Sequence, residues 1–572
     1  MARRPSWSLR LVALAPLVGG GCNSDGGEGP VVCPEVVEVP DEALRELLVG
    51  LVGEPERADT SGASAGGDAG DGTTGEPELL IYADALAELT GLRAGERGIA
   101  DLRGLECAHG LVSIGLAKNE VKDLGPLARL PALRELELSE NPVADLGPLE
   151  GVATLEVLNL AATEAGDLRP LRRLTELRHL DVTGAGASDL RPLRDLVKLE
   201  TLVLTNNGID DLGPLEGLGA LFSLDLERNA ITDVEALAGL EGLEFLDLDT
   251  NAIESIAPLA GLGRLRDLEV SGNRITSLVG AGDKGLLLEV SAADNAIGSL
   301  AGLEGVPSLV WLDVARNEIQ DLGGIEALAG LRTLLARENQ IADLGPLGGL
   351  DQLRRLDLRA NPGVVDLGPL AGLVALDTLG LGEAPVDFDL GPLGGLDLLR
   401  SLQLTGVATS DFAVIAELPA LRTLDLTGAT MVDDATLPAL AAATWLTALI
   451  LDDTKATDPS ALLAIAGLTR LDLAGTMVAS LDAIALWEDL AVVDLARTPL
   501  ADLSGVEGME RLSTLDVSAT QIESLEPLVA LPNFRNGDSV DARGTKLAAD
   551  DCPAILELLS RDASVKVDVS CE

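Results

Sequence analysis

A leucine-like residue returns every 22 positions from Ile114 through Leu136, Leu158, Leu180, Leu202, Leu224, Leu246, Leu268, Val290, Leu312 and Leu334 to Leu356. A unit that short cannot bury its own apolar face, so neighbouring units must stack and share one continuous core. With slight stretching the register continues through Leu379, Leu402, Leu424, Leu449, Leu471, Val493, Leu515 and Val540, giving about 20 turns of a solenoid. The unit from Leu133 to Thr154, LRELELSENPVADLGPLEGVAT, shows how one turn is built. Alternation sends Leu136 and Leu138 inward and Glu135, Glu137 and Ser139 outward, as a short strand requires. Asn141 turns the chain with a side chain able to bond backbone groups that would otherwise be buried unpaired. Val143, Leu146 and Leu149 return to the core, and Gly147–Pro148 starts a tight helical turn where no N–H donor is needed. Aromatic residues make up only 2% of the 572-residue chain, so leucine carries this core.

The motif LxxLxLxxNxIxDLxxL resembles the leucine-rich repeat, specifically the 22-residue class found in bacterial internalins and in a eukaryotic regulatory subunit of protein phosphatase. The resemblance covers residues 101–546 and implies an α/β solenoid: a right-handed superhelix with a concave parallel β-sheet and turns or 3₁₀ segments on the convex side. It also implies a protein-binding role, and it brings no catalytic residue or cofactor with it. Along the array the asparagine position varies: Asn119 and Asn141, then Thr163 and Ala185, Asn207 through Asn361, then Ala384, Val407 and Ala429, and finally Thr454, Thr476, Thr498, Thr520 and Thr545. A hydroxyl offers fewer bonds than an amide, so the turns over 364–450 are expected to be the softest.

Both ends differ from the array. Arg3, Arg4 and Arg10 flank a short apolar run from Leu9 to Val18 that leads through Gly19, Gly20 and Gly21 to Cys22. This resembles a bacterial lipoprotein signal over residues 1–21, with Gly19 where leucine is usual, and implies acylation of Cys22 and an outer-membrane or cell-surface position. A tether over 22–32 follows, then an N-terminal helical cap over 33–100. Its helix start is at Pro40–Asp41, and Glu54–Pro77 forms an inserted polar segment with little to bury. Cys33, Cys107, Cys552 and Cys571 lie as one pair near each end, and only the local pairing avoids joining opposite ends of a rod. An exported chain keeps disulfides, and exposed solenoid ends benefit from them. Neither pair has CxxC spacing and the histidines are two, so zinc does not fit. Residues 547–572 read as a C-terminal cap, with a short helix after Pro553 and an edge strand ending at Cys571.

A formal net charge of -52 disfavours nucleic acid and leaves proteins as the expected partners, basic ones among them, for a chain expected to be monomeric and to meet a membrane only through its anchor. The middle outward strand position is acidic in Glu137, Asp181, Asp225, Asp247, Glu269, Asp313, Asp357, Asp425, Asp472, Asp494, Asp516 and Asp541. Two readings stand: a solvated face that keeps a long sheet soluble, or a surface for basic proteins or divalent cations. Large outward apolar groups are rarer, and Phe245 with Trp311, three repeats apart, marks the expected hot spot. Asp247, Asp267, Glu269, Glu289 and Asp313 surround these two, while Arg337, Arg355, Asp357 and Arg359 lie just beyond. No nucleophile with a base, metal cage or phosphate loop emerges, so catalysis is not expected. A structural or adhesive rod of the envelope is the competing class.

Overall fold

In the computed structural model, which describes residues 33–52, 81–383 and 389–571, each turn lays one short strand beside the previous one. The signal-like stretch 1–21, Cys22, the tether 22–32 and the insertion 54–77 lie outside the described residues. The parallel sheet has 22 strands in chain order, from Gly91–Arg93 to Ser564–Lys566. Pairing keeps the 22-residue register of the sequence: Phe245 lies beside Ser223 and Asp267, and Leu246 beside Leu224 and Leu268. In a three-residue strand such as Phe245–Asp247 the central residue is buried and both flanking residues are half-buried. The sheet is open, because the first strand pairs only with Ser113–Gly115 and the last only with Ser539–Asp541.

On the convex side the chain returns through short 3₁₀ segments such as Gly147–Gly151, where Pro148 sits in the first turn and Leu149 is buried. The aspartate before each glycine explains the recurring DLGPL. Asp145 Oδ1 accepts the Gly147 N–H at 2.8 Å, and Asp123, Asp343 and Asp389 do the same for Gly125, Gly345 and Gly391. N–H groups at the start of the tight turn, which have no partner within it, thus find an acceptor on the surface.

The turns are joined in two ways. Asn317 donates from Nδ2 to the carbonyl of Ala292 in the preceding turn (2.9 Å) and to Val314 in its own (3.0 Å), while its Oδ1 accepts the Ile297 N–H (2.9 Å). The other amides from Asn207 to Asn361 repeat this bridging pattern, as Asn251 and Asn339 show. Thr454, Thr476, Thr498 and Thr520 instead donate only to the carbonyl three residues back in their own turn, at 2.6 to 2.7 Å. Between these regions the strands Thr378–Gly382 and Ser401–Thr405 lengthen to five residues and pair along their whole length. Gly382 permits it, because a Cβ there would lie 2.3 Å from the Thr405 carbonyl oxygen. The stretch expected to be softest therefore gains ladder bonds where it lacks the amide.

The ends are covered as expected, with adjustments. Helix Glu42–Val52 buries Leu44 and Leu48, and Asp41 accepts the Leu44 N–H with one oxygen and the Ala100 N–H with the other. The second amphipathic stretch is split: Ile81–Tyr82 pairs antiparallel with Val36–Val37, Ala83–Ala87 is a short helix, and Gly91–Arg93 already belongs to the main sheet. The helix ends at Ala87, and Leu92 pairs in register with Ile114, so the sheet starts one turn before residue 101. Cys33 is bonded to Cys107 and Cys552 to Cys571, with Cα atoms 5.8 and 5.4 Å apart. Helix Cys552–Ser560 buries Ile555 and Leu558, and Asp551 ties it to the turn below through the Ser524 hydroxyl and the Leu525 N–H. Among the described residues no helix is long and apolar enough to cross a membrane.

Candidate protein-binding surface

The concave face is built from the first and third residues of every strand and the residue two beyond. The acidic third position has a local task. Asp181, Asp247, Asp313 and Asp516 each accept, through Oδ1, the backbone N–H two residues on, at 2.8 to 2.9 Å. Glu137 reaches the Ser139 N–H in the same way at 2.8 Å. That N–H faces away from the next strand and would otherwise lack a partner, so much of the stripe caps the sheet.

Asp247 and Asp249 stand apart. Burial, with the charges of Asp249 and Asp225 next, pushes the Asp247 carboxyl up to about 9. Burial and then Glu269 raise Asp249 to about 7, while Asp249 itself caps the Ser271 N–H of the following turn. Asp247, Asp249 and Glu269 each place one oxygen within 4.8 Å of the others. Like charges this close on a half-buried surface are relieved by holding a proton. His179, on the same face, is half-buried; its Nδ1 lacks a hydrogen-bond partner, and burial holds its pKa below the usual range.

Phe245 and Trp311 are both half-buried on the concave face. Phe245 is flanked in register by Ser223 and Asp267, and Trp311 by Glu289 and Thr333. Three strand spacings separate the rings by roughly 14 Å, with Asp267 and Glu289 on the turns between. The structure therefore brings these residues onto one face without joining the aromatics into one patch. Of the arginines beyond them, Arg355 is exposed, Arg337 lies 3.5 Å from Glu338, and Arg359 grips Asp357 with two bonds of 2.9 and 2.6 Å. Arg359 is thereby engaged within its own turn, and Asp357 is buried beneath it.

Sequence reasoning passed over the residue just before each strand, which forms the lip of the sheet. In early turns this row alternates in sign: Arg134 pairs with Glu156, Arg178 with Glu200, and Arg266 with Glu244 at 2.9 Å. From Leu288 it changes to Leu288, Val310, Arg332, Arg354, Asp377, Arg400 and Arg422, each N–H bonded to the carbonyl of its predecessor at 2.8 to 2.9 Å. The signal was a column of arginines at the repeat spacing of 22 to 23 residues, interrupted by Asp377 and recognisable only once the lip position is known.

Residues 197–253 match the family model described as leucine rich repeat. No curated protein matches the chain. Among solved structures, the chain is similar to a TDR receptor, at 17% identity over 85% of this chain and 89% of that one, with a TM-score of 0.53. A structure of a TLR13–ssRNA13 complex matches at 19% identity over 85% of this chain and 79% of that one, with a TM-score of 0.51. An internalin from Listeria monocytogenes matches at 22% identity over 76% of this chain and 96% of that one, with a TM-score of 0.38. The stacked parallel strands, the 3₁₀ returns and the matched repeats make this fold a leucine-rich-repeat solenoid.

Proposed function

We propose that the chain is an exported, non-catalytic protein-binding module, held by a lipid on Cys22 at the outer membrane or cell surface, that presents its concave sheet to a protein partner. Leucine-rich-repeat proteins in general act as protein-binding modules, and the observation that carries the reading here is the uninterrupted 22-strand face with Phe245 and Trp311 on outward positions. Half-buried aromatics on a rigid sheet supply contact area at small entropic cost. Two disulfides at the ends support export. Because the aspartates cap backbone groups, the acidic stripe does not by itself call for a basic partner.

Capture from the cell envelope and its surroundings with the intact mature chain, against a Phe245→Ala/Trp311→Ala variant of equal stability, tests the reading. A protein held by the intact form and lost from the variant supports both module and site. One held equally by both moves the site elsewhere on the sheet. Capture by neither points to a structural or adhesive rod.

A further inference from the structure

The lip described above divides a strongly acidic molecule. Before Leu288, its arginines are matched by a glutamate one turn away. After Val310 they are not: Arg332, Arg354 and Arg400, with Arg355 beside Arg354 on the concave face, are exposed, and among the described residues none has an ion pair or side-chain hydrogen bond. Asp377 is the one carboxylate within the row, and its Oδ1 takes the Thr378 hydroxyl at 2.7 Å. Arg422 closes the row, its guanidinium held at the edge by the Pro419 and Leu421 carbonyls. Over the same turns the third strand position loses its acids: Leu335, an Asp357 neutralised by Arg359, Gly380 and Gln403. Four unmatched guanidiniums on a chain of net charge -52 repel one another and gain from any carboxylate that bridges them.

We propose that this lip receives an acidic, extended segment of a partner protein, with an apolar side chain of that segment seated on exposed Leu288 and its neighbour Val310. The inference rests on the protein-binding reading and names the chemistry of the partner. From Arg332 to Arg400 the row covers three strand spacings, roughly 14 Å, which suits about four to six extended residues. Length decides between a peptide and a polyanion. A nucleic acid or sulfated chain running past either end meets the Asp247–Asp249–Glu269 cluster or the aspartates from Asp425 onward, whereas a short acidic segment stays within the basic window. The apolar shoulder has no use for a sugar–phosphate backbone.

The test uses the full mature chain with its disulfides intact and fluorescent hexapeptides: an alternating Glu/Asp peptide ending in leucine, its Gln/Asn counterpart, and a sulfated oligosaccharide of equal charge. The acidic peptide should bind more tightly than the neutral one and weaken with salt. The variant Arg332→Gln/Arg354→Gln/Arg400→Gln should lose affinity about tenfold, the scale expected for three exposed charge contacts. Arg93→Gln/Arg264→Gln/Arg274→Gln, which removes as much charge from exposed positions elsewhere, should bind like the parent at the same melting temperature. Equal loss in both variants, no preference for the acidic peptide, or tighter binding of the oligosaccharide overturns the proposal. A captured envelope partner indifferent to the lip variant would overturn it while leaving the protein-binding reading standing. Failure of capture by the parent chain would sink that reading instead.

Discussion

The turns from Asn207 to Asn361 and those from Thr454 to Thr520 share strand register and leucine core yet close their loops differently. In the first group an amide reaches backward into the preceding turn and is itself the acceptor for that turn's backbone. In the second, the hydroxyl folds back onto its own turn, joined at Thr454, Thr476 and Thr498 by the backbone N–H of the same threonine, as Thr476 does on Leu473. In either case the side chain itself is hydrogen-bonded. What differs is whether the bonds join neighbours or only close a turn on itself, and coupling between turns is what makes a solenoid cooperative.

The largest effect that could break this comparison comes from Asn317→Ala. It removes two donors and one acceptor and leaves buried backbone groups open, which should cost about 2–4 kcal/mol in denaturant unfolding. Thr498→Val removes a single bond to Leu495 and should cost about 1 kcal/mol. Equal costs would mean that the amide does not couple the turns. Hydrogen exchange sharpens the contrast along the chain: amides of the threonine turns should exchange about tenfold faster than those of the asparagine turns, with the five-residue strands near 378–405 in between. Uniform protection would remove the distinction.

The smallest expected effect is pH-dependent and lies inside the asparagine region. The folded-state pKa of Asp247 is raised to about 9, above its unfolded value near 4, so folding is favoured when the group is protonated and that contribution is lost as pH rises through this window. Asp247→Asn keeps the acceptor for the Asp249 N–H without the charge. Its melting temperature should equal the parent's at pH 4 and exceed it by about a degree or two at pH 9. A constant offset across the range would place the effect in packing and not in charge.

Much of the architecture was legible because a period of 22 residues fixes register. Leu246 could only face inward beside Leu224, and Asn119 could only meet backbone near Ala94. The helix start at Asp41 was equally local, though nothing in its neighbours told that its second oxygen would hold Ala100. Lys284 shows where the pattern stops short. It stands at the position of Leu240 and Leu262, fully buried, with its ammonium donating to Leu259 and Ala260 carbonyls at 2.8 and 3.0 Å. Which carbonyls receive it is a three-dimensional fact that the repeat pattern does not carry. On the candidate surface, outward placement of Phe245 and Trp311 could be read from alternation. The engagement of Arg359 by Asp357 and the unmatched arginine lip could not: the first depends on the rotamer of a side chain within its own turn, the second on side chains one turn apart.

Because each strand pairs only with the turns before and after it, the molecule can also be considered under load. Tension applied between its two clipped ends would not need to break the stack at once. It could peel one turn at a time, each releasing about 75 Å of chain for its 22 residues. Peeling would begin where turns close on themselves, at the threonine end, and stall where amides reach back into the preceding turn. A molecule of this design can lengthen in steps and still keep its asparagine-stitched middle folded.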